Sequence, residues 1–389
     1  MKLAVIGIGT AGVQSLSYFC AWLGNDWEVT SIYDPSINIL GIGESSTPRL
    51  PYCLYMGSGF SFGQDAHELD ATIKHYVKYV NWREHDIYSV IDTSSYGIHF
   101  NNGKLKDFVF KRLEQMWGSK FNVLEGNVSS MENKNNKVEV VVNGKVCVYD
   151  YVVDCRGYPE DYSEYTISDS LPLNNCFVYT KEEPGEWDYT YHMAHKNGWM
   201  FGIPLTNRQG WGYLHNSDIT SKKECVEDIM NIFDLEDEPE LKQFSFKPYY
   251  ANKILDGNIL KNGNRLLFFE PLEALSAFYY DEANLFLLDF IKGEKTRDEI
   301  NEIFNIYCRL LETFICFIYH GGSIYDTPFW KFAVQKTKAK IDNNKMFDKI
   351  VEVLSTCSDN PNLGEIIKPF ASWNWHKLDK QFGYNYFHK

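Results

Sequence analysis

The sequence predicts an α/β fold: a dinucleotide-binding βαβ start, an inserted antiparallel sheet and a C-terminal helical part. Three observations carry this. A strand, a G-x-G-x-x-G turn, a helix and a second strand ending in an acid open the chain. A row of short strand patterns runs through residues 172–215. After residue 280 the apolar period becomes helical.

The opening strand is Lys2–Ile6. It runs into "GIGTAG", with Gly7, Gly9 and Gly12 in fingerprint spacing, then an apolar helical stretch over 13–23 and the strand "WEVTSIYD" ending at Asp34. In such a unit the first glycine makes the turn, the second lets a pyrophosphate approach the backbone, and the third packs helix on strand. Thr10 and Ala11 enter the helix, whose N-terminus would hold the phosphates. Asp34 would take ribose hydroxyls. An accidental glycine-rich turn is the competing reading, and the full strand–helix–strand–acid register argues against it.

A second small-residue loop, "GIGESSTP", covers 41–48. "HELDATIKHYVKYVNW" (67–82) reads as a helix, and 103–117 as another. A hairpin turning at Asn143–Gly144 feeds an apolar strand that ends in Asp154, Cys155, Arg156 and Gly157. "CFVYT", "YTYHMAH", "WMFGIPL" and "GWGYLHN" read as the antiparallel sheet, with a tight turn at Asn197–Gly198. Ser221 and Glu224 form a capping box opening a helix to Phe233. The expected division is a dinucleotide-binding module over 1–285 and a helical subdomain over 286–389.

Composition narrows the function classes. Hydrophobic residues make up 44% of the 389, enough for a sizeable core, and aromatics reach 16%. That aromatic content fits either dense core packing or an aromatic-lined pocket. A net charge of −14 argues against nucleic acid or an anionic membrane surface as partner. Nine cysteines without a C-x-x-C pair point to a reducing compartment rather than a disulfide framework. No apolar run approaches bilayer length. A cytoplasmic protein is expected. His99, His192 and His195 have no carboxylate or cysteine at metal-ligand spacing, so no metal is expected.

These motifs, in order from residue 5 to about residue 331, resemble the flavin-dependent halogenases of the tryptophan-halogenase type. "GIGTAG" resembles the family's FAD fingerprint, and "GIGESSTP" its second flavin loop. "IKHYVKYVNW" resembles the segment bearing its catalytic lysine, "DCRG" its D-C-S-G, and "GWMFGIP" its W-x-W-x-I-P. "FFEPLEALSA" is similar to F-L-E-P-L-E-S-T-G-I, and "YDTPFW" to D-D-T-P-F-W. The resemblance implies a two-dinucleotide-fold, aromatic-hydroxylase-like, Rossmann-type FAD domain. It implies FADH2 from a separate flavin reductase, O2, a halide ion, and hypohalous acid that reaches a lysine before halogenating a small aromatic substrate. The chain carries no second G-x-G-x-x-G for a nicotinamide, which agrees with an external electron source.

Carried over residue by residue, Lys74 is the relay lysine and Glu273 its polar partner. Read without the resemblance, Lys74 and Lys78 would be a solvated helix face and Glu273 a capping acid. FAD contacts fall on Gly7, Gly9, Thr10, Ala11, Gly12, Asp34, Gly43, Glu44, Ser45, Ser46, Asp154, Gly157, Asn264, Glu270, Pro271 and Ala277. The halide amides fall on Leu275 and Ser276, where the family has Thr-Gly, so Ser276 is expected to need a backbone that glycine adopts freely. Trp199, Phe201, Ile203 and Pro204 would form the barrier between flavin and substrate, with phenylalanine replacing a second tryptophan. Only residues 85–95 separate "VNWRE" from "YGIHF", where tryptophan halogenases carry a long insert, and the C-terminal part is short. A more open pocket for a phenol, indole, pyrrole or other activated arene is expected, with Trp373, Trp375 and Tyr384 available as a wall. A hydroxylating flavin monooxygenase and a non-catalytic flavin binder remain the alternatives.

Overall fold

Leu3, Ala4, Val5 and Ile6 are all buried, so the first strand is covered on both faces, as a central parallel strand must be. Alternate side chains feed two cores. Leu3 and Val5 face the main core with the helix Thr10–Trp22, whereas Ala4 and Ile6 face a cluster with Val138, Val140 and Val142. The computed structural model describes the chain apart from residues 39–43, 92–94, 343, 344, 346, 349, 351–374, 385 and 387–389. Gly43 and Trp373 lie outside the described residues.

The first strand sits within a six-stranded sheet ordered Leu255–Asp256, Ile259–Lys261, Tyr151–Asp154, Lys2–Ile6, Glu28–Tyr33, Phe121–Glu125. All its pairings are parallel except the first. The three-stranded antiparallel ribbon Val128–Lys134, Lys137–Val142, Lys145–Tyr149 covers one face. Its hairpin turns at Asn143–Gly144 with φ of 48° and 76°, the twist that two-residue loops favour.

The second large sheet is mixed and seven-stranded: Lys242–Ser245, Asn175–Lys181, Gln209–His215, Gly198–Pro204, Tyr189–His195, Tyr76–Val80, Ile87–Val90. It is wider than residues 172–215. Its extra strands come partly from the segment expected to be a helix. Residues 67–82 instead give a short 3-10 turn, Ala66–Leu69, and the strands Thr72–Lys74 and Tyr76–Val80. The segment is rich in β-branched and aromatic residues, which fit a pleated surface. Val77 and Tyr79 are buried on one side while Lys78 points outward to Asp86, at 2.8 Å.

The Asn-Gly turn is also displaced. His195 pairs with Gly198, so the two-residue loop is Lys196–Asn197. Gly198 is a strand residue, and a Cβ there would stand 2.0 Å from the Leu214 carbonyl oxygen. Pro204 closes its strand, where a missing N–H costs the ladder least. Both faces of this strand are covered by protein: Trp199 and Phe201 meet the main core, and Met200 the cluster around Trp211 and Tyr213.

Helix Asn102–Trp117 matches its expected span, capped by the Asn101 side chain. So does Lys222–Phe233 with its Ser221–Glu224 capping box. The helices Leu275–Lys292, Arg297–Tyr319 and Pro328–Asp342 follow, then Trp375–Phe382. The expected 285/286 boundary falls inside the first of these. Phe286, Phe304 and Phe317 share one core with Leu3 and Val5. No described helix is long and apolar enough to cross a membrane.

Gly198→Ala should lower stability by about 1–3 kcal/mol, the usual range for overpacking. At Gly63 an added Cβ meets nothing within 4 Å, so Gly63→Ala should be near neutral. Urea unfolding midpoints of the two variants check this.

Candidate functional site

The glycine turn after the first strand divides into packing and open space. A Cβ on Gly7 (φ +99°) would lie 2.5 Å from the Cys155 carbonyl oxygen, and one on Gly12 would lie 2.0 Å from that of Gly7. A Cβ on Gly9 would meet nothing within 4 Å. Gly9 is also the N-cap of helix Thr10–Trp22, which has neither a side-chain cap nor an acid in its first turn. Its leading N–H groups are therefore free for an anion. Thr10 donates to Glu44 Oε2 at 2.6 Å and Asn102 to Oε1 at 2.5 Å, joining the second loop to the first. This cradle fits a dinucleotide pyrophosphate.

The other expected contacts are more varied. Asp34 follows the second strand, and its carboxyl is held below its usual range by the side chain and backbone N–H of Ser36. Asp154 is buried, and its carboxylate is taken by Arg156 at 2.9 and 3.0 Å, with Arg265 at 3.5 Å. Gly157 (φ +78°) has open space around it. Ser46 Oγ accepts from the Ile98 N–H, and Ser45 bonds Thr190. Asn264 lies in the turn Gly263–Arg265, its carbonyl accepting from Tyr249.

Lys74 is only 3% exposed. It ends the edge strand of a small three-stranded sheet, Glu44–Ser45, Gly97–Phe100, Thr72–Lys74. Lys74 pairs with Gly97, where a Cβ would lie 2.6 Å from the Ser46 carbonyl oxygen. The same small sheet thus carries both the second loop and the lysine. Burial pushes the Lys74 ammonium down to about 8, with Glu273 opposing. Lys78 shows the opposite behaviour: its ion pair with Asp86 pushes it up.

Glu273, in the segment before helix Leu275–Lys292, lies close enough for its charge to act on Lys74, without an ion pair between them. Burial raises its carboxyl, while hydrogen bonds and Lys74 lower it. Tyr79 donates to Oε1 at 2.5 Å and Ser89 to Oε2 at 3.0 Å. His99 bridges Thr72 and Thr190 at 3.1 and 2.9 Å. Burial, with Lys74 nearby, holds His99 and His192 neutral. Trp82, between the lysine strand and the C-terminal helices, packs on Trp199, Tyr319, Trp330 and Phe382.

Strand Gly198–Pro204, the expected barrier, is tied to the Glu270 loop. The Trp199 indole N–H donates to Tyr319 at 2.5 Å, and Tyr319 donates to Glu270 Oε1 at 2.8 Å. Glu270 is buried, its Oε2 has no partner, and burial pushes it up to about 8. The Phe201 ring lies over Gly212, and Ile203 is buried beside it.

Pro271 precedes the turn Leu272–Ala274, and Ala277 lies in the first turn of the following helix. The backbone strain in this segment is not where the sequence placed it. Glu273 (φ +58°) and Ala274 (φ +55°) are left-handed, whereas Leu275 (φ −64°) is right-handed and Ser276 is already helical. Of the two expected halide amides, the Leu275 N–H already donates to the Leu272 carbonyl oxygen, and Ser276 lies in the first turn of a helix whose N-cap, Ala274, makes no side-chain bond. Tyr79, Ser89 and Tyr319 were not found by sequence reasoning, and His192 was weighed there only as a metal ligand. Tyr79 and Ser89 sit 194 and 184 positions from Glu273, and no local pattern reports such contacts.

Comparison with known proteins adds to this geometry. The sequence model of the tryptophan halogenase family matches residues 2–90 and 83–358. Tryptophan 7-halogenase RebH of Lentzea aerocolonigenes is 22% identical over 419 residues, covering 85% of this chain and 78% of that protein. Tryptophan 7-halogenase KtzQ of Kutzneria sp. is 24% identical over 371 residues, covering 74% and 69%. Among solved structures, BrvH, a flavin-dependent halogenase from Brevundimonas sp. BAL3, superposes with a TM-score of 0.78 at 16% identity, over 98% of this chain and 90% of that one. A tryptophan halogenase from Shewanella frigidimarina superposes equally well, 0.78 at 16% identity, over 98% and 88%. At such identities the superpositions carry the fold, an α/β chain with mixed sheets.

A buried acid raised above its unfolded value stabilises the fold fully only below that unfolded value. The stability is lost as pH climbs through the folded value. Glu270→Gln should therefore gain stability relative to the native chain as pH rises from 5 to 8, with the two closest at pH 5. Denaturant unfolding at both ends of that window checks it.

Proposed function

The chain belongs to the tryptophan halogenase family, and from that premise we propose that it is an FADH2- and O2-dependent halogenase of an electron-rich aromatic substrate. The carrying observation is Lys74, a lysine enclosed in the protein and lowered to about 8, with the charge of the buried Glu273 opposing the shift. An ordinary lysine near 10.4 is unprotonated in about one molecule in a few thousand at neutral pH; at about 8 the fraction is about one in ten. A neutral amine can hold or take up an electrophilic halogen, and an ammonium cannot.

The open space at Gly9 and the free helix N-terminus beyond it would hold the FAD pyrophosphate, with Thr10, Ala11 and Glu44 alongside and Asp34 on the ribose. Gly43, Ser45, Ser46, Asp154, Gly157, Asn264, Glu270, Pro271 and Ala277 complete the proposed contact set, Asp154 and Ser46 through backbone because their side chains are engaged. When bound, reduced FAD would give two electrons to O2, whose remaining oxidising power would take a halide ion to hypohalous acid, with water as the other product. A separate flavin reductase would supply it, since the chain shows no nicotinamide fingerprint.

The backbone amide of Ser276 would hold the halide, whether chloride, bromide or iodide, and that of Leu275 would join it on leaving the Leu272 carbonyl oxygen. The exchange of Thr-Gly for Leu-Ser costs nothing in backbone strain, because the left-handed residues precede them. Trp199, Phe201, Ile203 and Pro204 would keep the arene from the flavin. Trp199 is fixed for this by Tyr319. Lys74 would orient the halogen, and the Glu273 carboxylate would accept the ring proton.

Reduced FAD from an unrelated reductase, a halide and a panel of phenols, indoles and pyrroles should give halogenated product by mass spectrometry. Lys74→Ala should lower the yield at least 100-fold, the lower range of a lost general catalyst. Undiminished halogenation in that variant would mean freely diffusing hypohalous acid. Hydroxylated product without halide would mean a monooxygenase, and bound flavin without product a non-catalytic binder. Gly9→Ala should leave the melting temperature unchanged and weaken flavin binding, read by fluorescence titration.

A further inference from the structure

Glu273 lies in a left-handed backbone, and its two carboxylate oxygens go to different strands. Strand Tyr76–Val80 turns Val77 and Tyr79 inward, and strand Ile87–Val90 turns Ile87 and Ser89 inward. The register pairs Tyr79 with Ile87 and Val77 with Ser89. Tyr79 and Ser89 are therefore diagonal neighbours on the inner face of the sheet. The carboxylate spans them, with Oε1 on the Tyr79 hydroxyl at 2.5 Å and Oε2 on the Ser89 hydroxyl at 3.0 Å.

Neither donor is free to turn away. The Tyr79 ring is fully buried and locked edge-on by Trp82 (5.5 Å), His192 (5.1 Å) and Phe382 (5.7 Å). Ser89 sits on an edge strand whose Tyr88 backbone is bonded twice by the Gln381 side chain, at 2.8 and 3.0 Å. That strand lies within the short segment following "VNWRE". A serine hydroxyl does not titrate in water, and burial beside Glu273 holds the Tyr79 phenol protonated. Both remain donors at every working pH.

We propose that Tyr79 and Ser89 are positioning residues that hold Glu273 charged and in place near Lys74 while the lysine itself is neutral. The inference rests on the function proposed above. While Lys74 is an ammonium, its charge also favours the Glu273 carboxylate. The amine form that the reaction uses removes that support. The other groups near the pair offer no replacement charge: His99 and His192 are held neutral by burial, and Glu270 and Tyr319, beyond Tyr79, are acids. Two neutral donors are then all that opposes the burial of the Glu273 charge.

The test needs a readout that a merely structural role would not move. The infrared band of protonated Glu273, taken as the difference from Glu273→Gln, is titrated in the cofactor-free protein. Tyr79→Phe keeps the ring and loses the hydroxyl; Ser89→Ala loses its hydroxyl and Ser89→Thr keeps it. In Tyr79→Phe and in Ser89→Ala the band should persist to a pH roughly one unit higher, a tenfold change in proton affinity, and further in the double variant. Ser89→Thr should titrate as the native chain, and melting temperatures separate misfolding from the effect. The acid limb of the halogenation profile should move with the band. Unchanged titration in Tyr79→Phe and Ser89→Ala overturns the proposal. A shifted band in a protein that halogenates no arene overturns the functional reading and leaves the pairing intact.

Discussion

A lysine buried to 3% exposure is the constraint on which the rest of the site depends. Taking an ammonium out of water is expensive, and a protein relieves that cost by pairing the charge or by releasing the proton. Here it does some of both. The charge of Glu273 favours the ammonium from a distance, and burial still brings Lys74 down to about 8. The surroundings are built to leave it there. His99 and His192 stay neutral, and the phenols of Tyr79 and Tyr319 stay protonated. Lys78, four residues away, shows what solvent contact and an ordinary ion pair do instead.

The small sheet of Glu44–Ser45, Gly97–Phe100 and Thr72–Lys74 turns this local chemistry into architecture. One outer strand continues the loop whose Glu44 bonds Thr10 at the glycine turn, and the other ends in Lys74. The Thr72–His99–Thr190–Ser45 hydrogen bonds stitch it to the large mixed sheet. A second buried chain, Trp199 to Tyr319 to Glu270, fixes strand Gly198–Pro204 to the loop that precedes Glu273. The proposed cofactor cradle and the lysine centre are therefore joined by paired backbone and by buried side-chain hydrogen bonds, the rigid support that precise placement of two sites requires.

Much of this was legible in sequence, for reasons that can be named. The glycine turn reads directly because Gly7 and Gly12 are forced by contacts within a few residues or across one strand pair. The Asn143–Gly144 hairpin and the Ser221–Glu224 capping box read because their chemistry is local. The motif order pointed to Lys74 and Glu273. What failed was local ambiguity. "ATIKHYVKYVNW" contains lysines at helical spacing and apolar residues at alternate spacing, and tertiary pairing with Tyr189–His195 decided for strand. The Asn197–Gly198 pair looked like a turn, but Gly198 is needed for close approach to Leu214. The strain assigned to Ser276 belongs to Glu273 and Ala274, because the helix begins earlier than the Thr-Gly comparison implied. Tyr79, Ser89 and Tyr319 act across more than a hundred positions of chain and leave no periodic trace.

The proposed chemistry depends on the protonation of one amine, that of Lys74. The direct measurement is a nuclear magnetic resonance titration of the protein labelled at the lysine side-chain ε carbons, with Lys74→Arg used to assign the signal. One resonance should titrate near pH 8, well below the bulk lysines, and should move lower still in Glu273→Gln, where the opposing charge is gone. A Lys74 resonance that titrates with the surface lysines, near 10.4, would contradict the central claim.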